Sequence, residues 1–306
     1  MISNGIAPRY SDIDTYSMAA ACVDEALRNA VCVGVDLDMI AGLDNFCWPD
    51  SVESAKTPDG RYKLAQLVRA NQAIDDVCRA YRLPCISGKD SMKNDVTMYG
   101  EKISVPPTIL FSLIGNHADV RKAVSSDFKS AGDHIYLLGE THQELGASEL
   151  AFMFRDECSG GIGGEIPRIN PERNLAMYRA LTSAMSEGLV VSAHDCSDGG
   201  LAVALAECCF GAASGASMDI AGLESDRSHL DEWGALFGES MGRILVSISP
   251  DDSEGFSKAM EGNSCTLIGT VGEGDDIIVR SGETEVLRAS MSKLRESWQG
   301  ALGGDA

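Results

Sequence analysis

The chain has 306 residues, 44% of them hydrophobic, which is enough to build the cores of two ordinary domains. Forty-six acidic against 25 basic residues give a net charge of −21, which argues against a nucleic-acid partner, because a polyanion needs a basic footprint. No apolar run approaches the ~18 residues of a membrane span, and the start, Met1-Ile2-Ser3-Asn4-Gly5, lacks a signal peptide's basic and apolar stretches. A cytoplasmic protein with no membrane contact is therefore expected.

Residues 11–31 carry an apolar stripe (Met18, Cys22, Val23, Ala26, Leu27, Ala30) that predicts a helix capped by Ser11 or Asp12. A short irregular segment from Asp44 to Pro49 follows, then a second helix from about Asp59 to Tyr81. Leu83 to Ser87 reads as a strand, Gly88 to Asp95 as a polar loop, and residues 107–114 as a buried strand. The polar, glycine-punctuated stretch from Asn116 to Gly132 marks a domain boundary, which gives an N-terminal domain over 1–117 and a C-terminal one over 118–290. The second domain is expected to hold a strand from Ile135 to Leu138 and a helix from Pro171 to Glu187 opened by its proline. A strand from Leu189 to Ala193, a helix from Leu201 to Phe210 and strands near 218–220, 243–248 and 266–271 complete it. Residues 291–306 read as a flexible tail. The pattern is α/β (α+β) in two domains.

The ten cysteines, Cys158 among them, are scattered without a C-x-x-C pair, which favours reduced thiols over zinc or disulfides. None of the five histidines has a partner at metal spacing, and no Ser-His-Asp or Cys-His arrangement stands out, so no catalytic residue is assigned.

Chemistry concentrates in three places. The loop H-D-C-S-D-G-G (194–200) lies between a predicted strand and a predicted helix, where ligands of α/β sheets gather. Gly199 and Gly200 would let a phosphate approach the backbone, and Asp195 and Asp198 would share it with Mg²⁺. The same residues also fit a plain strand-to-helix turn with Asp198 as its cap. Glu25 and Asn29, spaced i,i+4, share one helix face and could hold one Mg²⁺, or simply meet solvent. Ser87-Gly88-Lys89-Asp90-Ser91 could contact a phosphate through glycine, hydroxyl and Lys89, although it is not a P-loop; it also fits a charged surface turn. Asp44 is open in the same way.

The segments SNGIAPRYSDIDTY, DEALRNAVCVG, GLDNFCWPD, YKLAQLVRA, ISGKDSMKND, AHDCSDGGLAVALAE and ESMGRILVSISP occur in this order. They resemble the second synthetase half of phosphoribosylformylglycinamidine synthase, over nearly the whole chain. The superfamily also contains aminoimidazole ribonucleotide synthetase, selenophosphate synthetase, thiamine-phosphate kinase and a hydrogenase maturation factor. The resemblance implies a two-domain aminoimidazole ribonucleotide synthetase-like architecture, an N-terminal sheet-plus-helices domain followed by a mixed α/β domain. It implies a share in ATP-dependent amidation of formylglycinamide ribonucleotide with ammonia from glutamine, and the cofactors Mg²⁺ and ATP or ADP.

By motif, the resemblance makes Glu25, Asn29 and Asp195 Mg²⁺ ligands of an auxiliary nucleotide site and Ser197 a nucleotide contact there. Asp44 and Gly88 would be ATP contacts lent to the catalytic site, and Ser91 a substrate contact. Lys89 departs from the asparagine of shorter relatives; an ammonium cannot ligate Mg²⁺, so Lys89 is expected on phosphate and Asp90 in the metal role. The expected partners are the first synthetase half, which carries the family's catalytic histidine, and a glutaminase domain or subunit. The chain also starts late relative to the family, without an upstream metal-binding aspartate. Alone it is expected to be inactive, with homodimerisation through its N-terminal domain as a way to cover the missing half. The alternatives are a nucleotide-stabilised scaffold and a standalone homodimeric kinase-like relative.

Overall fold

The computed structural model describes residues 1–157, 164–212, 214–223 and 229–300. They form two compact units: residues 1–31, 35–118 and 145–175 make the first, and residues 32–34, 119–144 and those from Ala176 onward the second. Cys158 and residues 301–306 of the expected tail lie outside the described residues.

The first unit begins with strand β1 (Ile2–Ile6), a 3-10 turn (Pro8–Asp12) and helix α1 (Thr15–Val31). Strand β2 (Ile40–Cys47), helix α2 (Gly60–Tyr81) and strands β3 (Cys85–Ser91), β4 (Asp95–Met98), β5 (Glu101–Ser104) and β6 (Thr108–Gly115) follow. The main sheet has the order β1-β6-β2-β3, with β2 and β3 parallel and the other pairs antiparallel. Strands β4 and β5 form a separate hairpin. Tyr99 and Gly100 both have positive φ (53° and 86°), the backbone of a two-residue hairpin turn.

Three local expectations are corrected. The cap of α1 is Asp14, whose Oδ2 accepts from the Ser17 amide at 3.1 Å; Ser11 is spent on the Pro8 carbonyl within the 3-10 turn, which Asp12 ends. The stretch from Asp44 is no irregular segment but the second half of β2, because its backbone pairs with β6 on one side and β3 on the other. For the same reason Gly88 to Ser91 is strand, not loop. Polar side chains hide strands that are recognised only by their backbone pairing, on both sides for β2 and on one for β3.

A buried polar network crosses the helices of this unit. Arg28 and Asp24, both fully buried on α1, pair at 2.5 Å. Asp24 also accepts from the Tyr81 hydroxyl at the end of α2 and from Asn174 Nδ2 at 2.9 Å. A buried charge is tolerated when its remaining hydrogen-bonding capacity is used, and on the Asp24 side Tyr81 and Asn174 supply that.

The second unit contains β7 (His134–Leu138), β8 (Ser192–Asp195), β9 (Ala216–Asp219), β10 (Ile244–Ile248), β11 (Cys265–Val271), β12 (Asp276–Ser281) and β13 (Thr284–Ser290). They form one sheet in the order β13-β12-β9-β11-β7-β10-β8. Helix α3 (Glu149–Met153) and the start of α4 (Pro171–Glu187) belong to the first unit; the rest of α4, with α5 (Gly200–Ala212), α6 (Glu232–Phe237), α7 (Ser253–Ala259) and α8 (Met291–Gly300), belongs to the second. The core gathers Phe128, Leu137, Leu201, Leu205, Cys208 and Leu245 between α5 and the sheet.

The strand expected over 189–193 starts at Ser192 instead, because Leu189 closes α4. Its amide reaches the Ala184 carbonyl at 3.0 Å while Gly188 takes positive φ, the Schellman ending. Residues 291–300 do not fray: Asp275 accepts from the Ser292 amide at 3.0 Å, Met291 is buried, and Trp298 packs against Phe210 at 5.8 Å. Among the described residues no helix is long and apolar enough to cross a membrane.

Tyr81→Phe, which removes one hydrogen bond to a buried carboxylate, is expected to cost about 1.5–3 kcal/mol in urea denaturation. Asp24→Ala, which strands the Arg28 charge, is expected to cost about 3–5 kcal/mol.

Candidate functional site

Parallel pairing of β2 with β3 sets Asp44 opposite Gly88, Asn45 opposite Lys89, Phe46 opposite Asp90 and Cys47 opposite Ser91. Side chains alternate between faces along a strand. Phe46 is buried on the helix-covered face, so Asp44, Gly88 and Asp90 share that face, while Lys89 and Ser91 lie on the opposite one. The expected phosphate and metal residues are thus divided: Lys89 donates to the Ser91 hydroxyl and stands apart from Asp90.

Asp44 and Gly88 are in direct contact. A Cβ built on Gly88 would lie 2.1 Å from Asp44 Oδ1, so glycine lets that carboxylate keep this position. Burial and the charge of Asp90 both push the Asp44 carboxyl above its ordinary value. Two carboxylates on one face present the hard oxygen donors that suit Mg²⁺. Beside Asp44 opens a cleft of about 660 Å³ lined also by Asn71, Asp75, Arg79 and Arg82.

Glu25 and Asn29 do share one face of α1, and that face meets the outer edge of β1. Glu25 Oε2 accepts from the Ile6 amide at 2.8 Å, and Asn29 Nδ2 donates to the Asn4 carbonyl at 3.1 Å. Both side chains thereby cover the unpaired groups of an edge strand.

In the second unit β8 ends at Asp195, paired with Ile244 of β10, and the turn to α5 contains Ser197, Asp198, Gly199 and Gly200. Ser197 donates to the Asp195 carboxylate, which is buried, whereas Asp198 is exposed. Gly199 and Gly200 both have positive φ (77° and 68°). A Cβ on Gly200 would meet the Gly238 carbonyl at 2.5 Å, so the glycine also lets the start of α5 close on residues 236–238. The Gly199 amide, one expected phosphate donor, is given to Glu239 Oε1 at 2.9 Å. No group of three or more His, Cys, Asp or Glu side chains with metal-site geometry occurs among the described residues.

The sequence reading passed over the residues beneath this turn. Glu239, Ser240 and Arg243 are buried, as are Thr141 and His142. Arg243 donates from Nε to the Ser240 carbonyl at 3.2 Å and from Nη2 to that of Gly238. The Ser240 hydroxyl accepts from the His142 amide at 3.0 Å. The signal was present in ESMGR, a polar cluster directly before an apolar strand, but only the fold shows that it supports the turn after β8. His194 lies between Asp195 and Glu207, its Nε2 3.3 Å from Glu207 Oε2. Burial disfavours the charged ring, yet the two carboxylates outweigh it and raise His194 to about 10.

The family model "AIR synthase related protein, C-terminal domain" matches residues 130–282, half of the chain. The chain belongs to the AIR synthase related protein family. Its fold agrees with that of T. maritima PurL in complex with FGAR (19% identity, TM-score 0.74), covering 96% of this chain and 45% of that one. It agrees likewise with T. maritima PurL in complex with ATP (17% identity, TM-score 0.70), covering 96% and 43%. E. coli HypE, a hydrogenase maturation protein, matches at 12% identity and TM-score 0.65, covering 94% of this chain and 84% of HypE. The chain thus spans under half the length of the PurL structures. At these identities the likeness is one of fold, and it is the architecture expected from the sequence.

Two measurements probe this geometry. Gly88→Ala should lower the thermal midpoint, and adding Asp44→Ala should restore most of the loss, because the clash needs both side chains. For His194 the folded value is the higher one, so its contribution is full below the unfolded value of about 6.5 and is lost as pH rises through about 10. Melting in EDTA should show that decline, and His194→Gln should flatten it.

Proposed function

We propose that the chain is one synthetase half of a phosphoribosylformylglycinamidine synthase-type ligase, working in the cytoplasm with a complementary half and a glutaminase domain or subunit. In that enzyme ATP activates the amide oxygen of formylglycinamide ribonucleotide and ammonia displaces the phosphate. Asp44 on Gly88 is the observation that carries the reading: two motif residues expected on ATP meet on adjacent strands, so close that a Cβ at residue 88 would displace the Asp44 carboxylate. Mg²⁺, when bound, offsets charge on the transferring phosphoryl group. Asp44 and Asp90 are the acids that would hold it in this unit, and Asp195, with Ser197 fixed on it, the acid in the other. Lys89 and Ser91, on the opposite face, are assigned to substrate phosphate and substrate.

The need for a second half rests on the main sheet. Its helix-free face presents exposed Ile2, Ile6 and Ile114 beside half-buried Leu43 and Leu110. Exposed apolar side chains grouped on one face, broken only by the Asn4–Ser112 pair, favour a covering partner, and the PurL structures are more than twice this length. One observation favours a second reading, a standalone homodimeric relative: the chain covers 84% of HypE, a protein of nearly its own size.

Reconstitution separates the two. Alone, the chain should give no amidine from formylglycinamide ribonucleotide, ATP and ammonia; mixed with a complementary synthetase half it should, and Asp44→Ala should abolish that turnover. A stable homodimer by light scattering, with ATP consumption unaffected by the added half, would support the second reading instead.

A further inference from the structure

Cys78 sits in the last turn of α2 and Cys85 is the first residue of β3, seven positions later. Their sulfurs are 3.7 Å apart. Between them the chain reverses through Arg82, held in the left-handed region at φ 54°. Both cysteines line the open cleft beside Asp44, and Cys85 is the exposed one among the nine described cysteines. The other thiols are buried or half-buried; Cys22, for instance, contacts the Met18 sulfur and the Ile109 carbonyl inside the core.

We propose that Cys78 and Cys85 form a dithiol modification site that a small disulfide oxidant closes into an intrachain disulfide, which weakens nucleotide binding at Asp44. The second clause rests on the reading of Asp44 and Gly88 as nucleotide contacts. Chemically, Cys85 loses its proton to solvent and attacks the disulfide RSSR, forming a mixed disulfide and releasing one RS⁻. Cys78 then attacks the Cys85 sulfur and the second RS⁻ leaves. Two protein thiols are oxidised and RSSR is reduced to two RSH. A disulfide is about 2.05 Å long, so closure draws the start of β3 towards α2. Gly88, under the Asp44 carboxylate, follows three residues along the same strand.

The surroundings set the rate. Burial raises both thiols, and the negative charge of Asp44 raises them further. The charged groups facing the pair are Asp44 from β2, Asp75 and Arg79 from α2, and Arg82 from the turn. Thiolate is scarce at neutral pH, so closure is slow there and accelerates under alkaline conditions. Asp44→Asn removes the nearest carboxylate charge and should accelerate it at any given pH.

The test uses the full chain incubated with excess oxidised glutathione. Thiol titration after denaturation should fall from ten to eight, with peptide mapping assigning the loss to Cys78–Cys85 and dithiothreitol restoring it. Cys78→Ser should instead retain glutathione on Cys85, the trapped first step. Calorimetry should show ATP binding weakened on the order of tenfold in the oxidised chain and unchanged in oxidant-treated Cys85→Ser. Ten surviving thiols, or a linkage mapped elsewhere, overturns the site. A Cys78–Cys85 disulfide with unaltered ATP affinity overturns its coupling to the nucleotide. If Asp44→Ala leaves ATP affinity of the reduced chain intact, the nucleotide reading fails while the thiol chemistry stands.

Discussion

The parallel register of β2 on β3 decides which side chains of the first unit can act together. It pairs Asp44 with Gly88 and Phe46 with Asp90, and through the alternation of a strand it sends Lys89 and Ser91 to the other face. A slip of β2 by one residue would turn Asp44 and Phe46 to the other face. Phe46, buried between the sheet and the helices, opposes such a slip. The helices that press on this sheet are in turn locked by Asp24, Arg28, Tyr81 and Asn174, a network whose members are costly to remove singly because each satisfies another's buried charge or dipole. Packing, register and the candidate site are in this sense one construction.

Electrostatics follow from it. A chain of net charge −21 would repel a bare polyphosphate. At Asp44, burial first and then the charge of Asp90 raise the carboxyl, and a hard cation would relieve it. In the second unit carboxylates are managed differently. Ser197 is bound to Asp195, Glu239 is bound to the Gly199 amide, and His194 takes positive charge from its two acidic neighbours. The turn after β8 is therefore held by protein groups, and a phosphate reaching the Gly199 amide must displace Glu239.

Much of this was legible in the sequence. Helix α4 spans Pro171 to Glu187 as read, since proline opens it and glycine closes it, and the strands β6, β7 and β10 announced themselves by apolar runs. The polar halves of β2 and β3 did not, because their pairing is a property of the backbone and their side chains are those of a site. The hairpin of β4 and β5 was hidden by Tyr99, a residue seldom found at positive φ. Of the candidate residues, Asp44 and Gly88 stood out by motif, and the fold brings them into contact. Glu25 and Asn29 had helical spacing that fits a metal pair and an edge cover equally well; only the position of β1 reveals the bonds they make. Glu239 was missed because its partner, the Gly199 amide, is forty residues away in sequence at the turn after β8.

The central claim is that the Asp44–Gly88 contact is part of a nucleotide site, and calorimetric titration of the chain with ATP in Mg²⁺ and in EDTA tests it most directly, with Asp44→Asn alongside. The account predicts binding that requires Mg²⁺ and is weakened in the variant. Mg²⁺-independent binding, or binding of equal strength in Asp44→Asn, would contradict it.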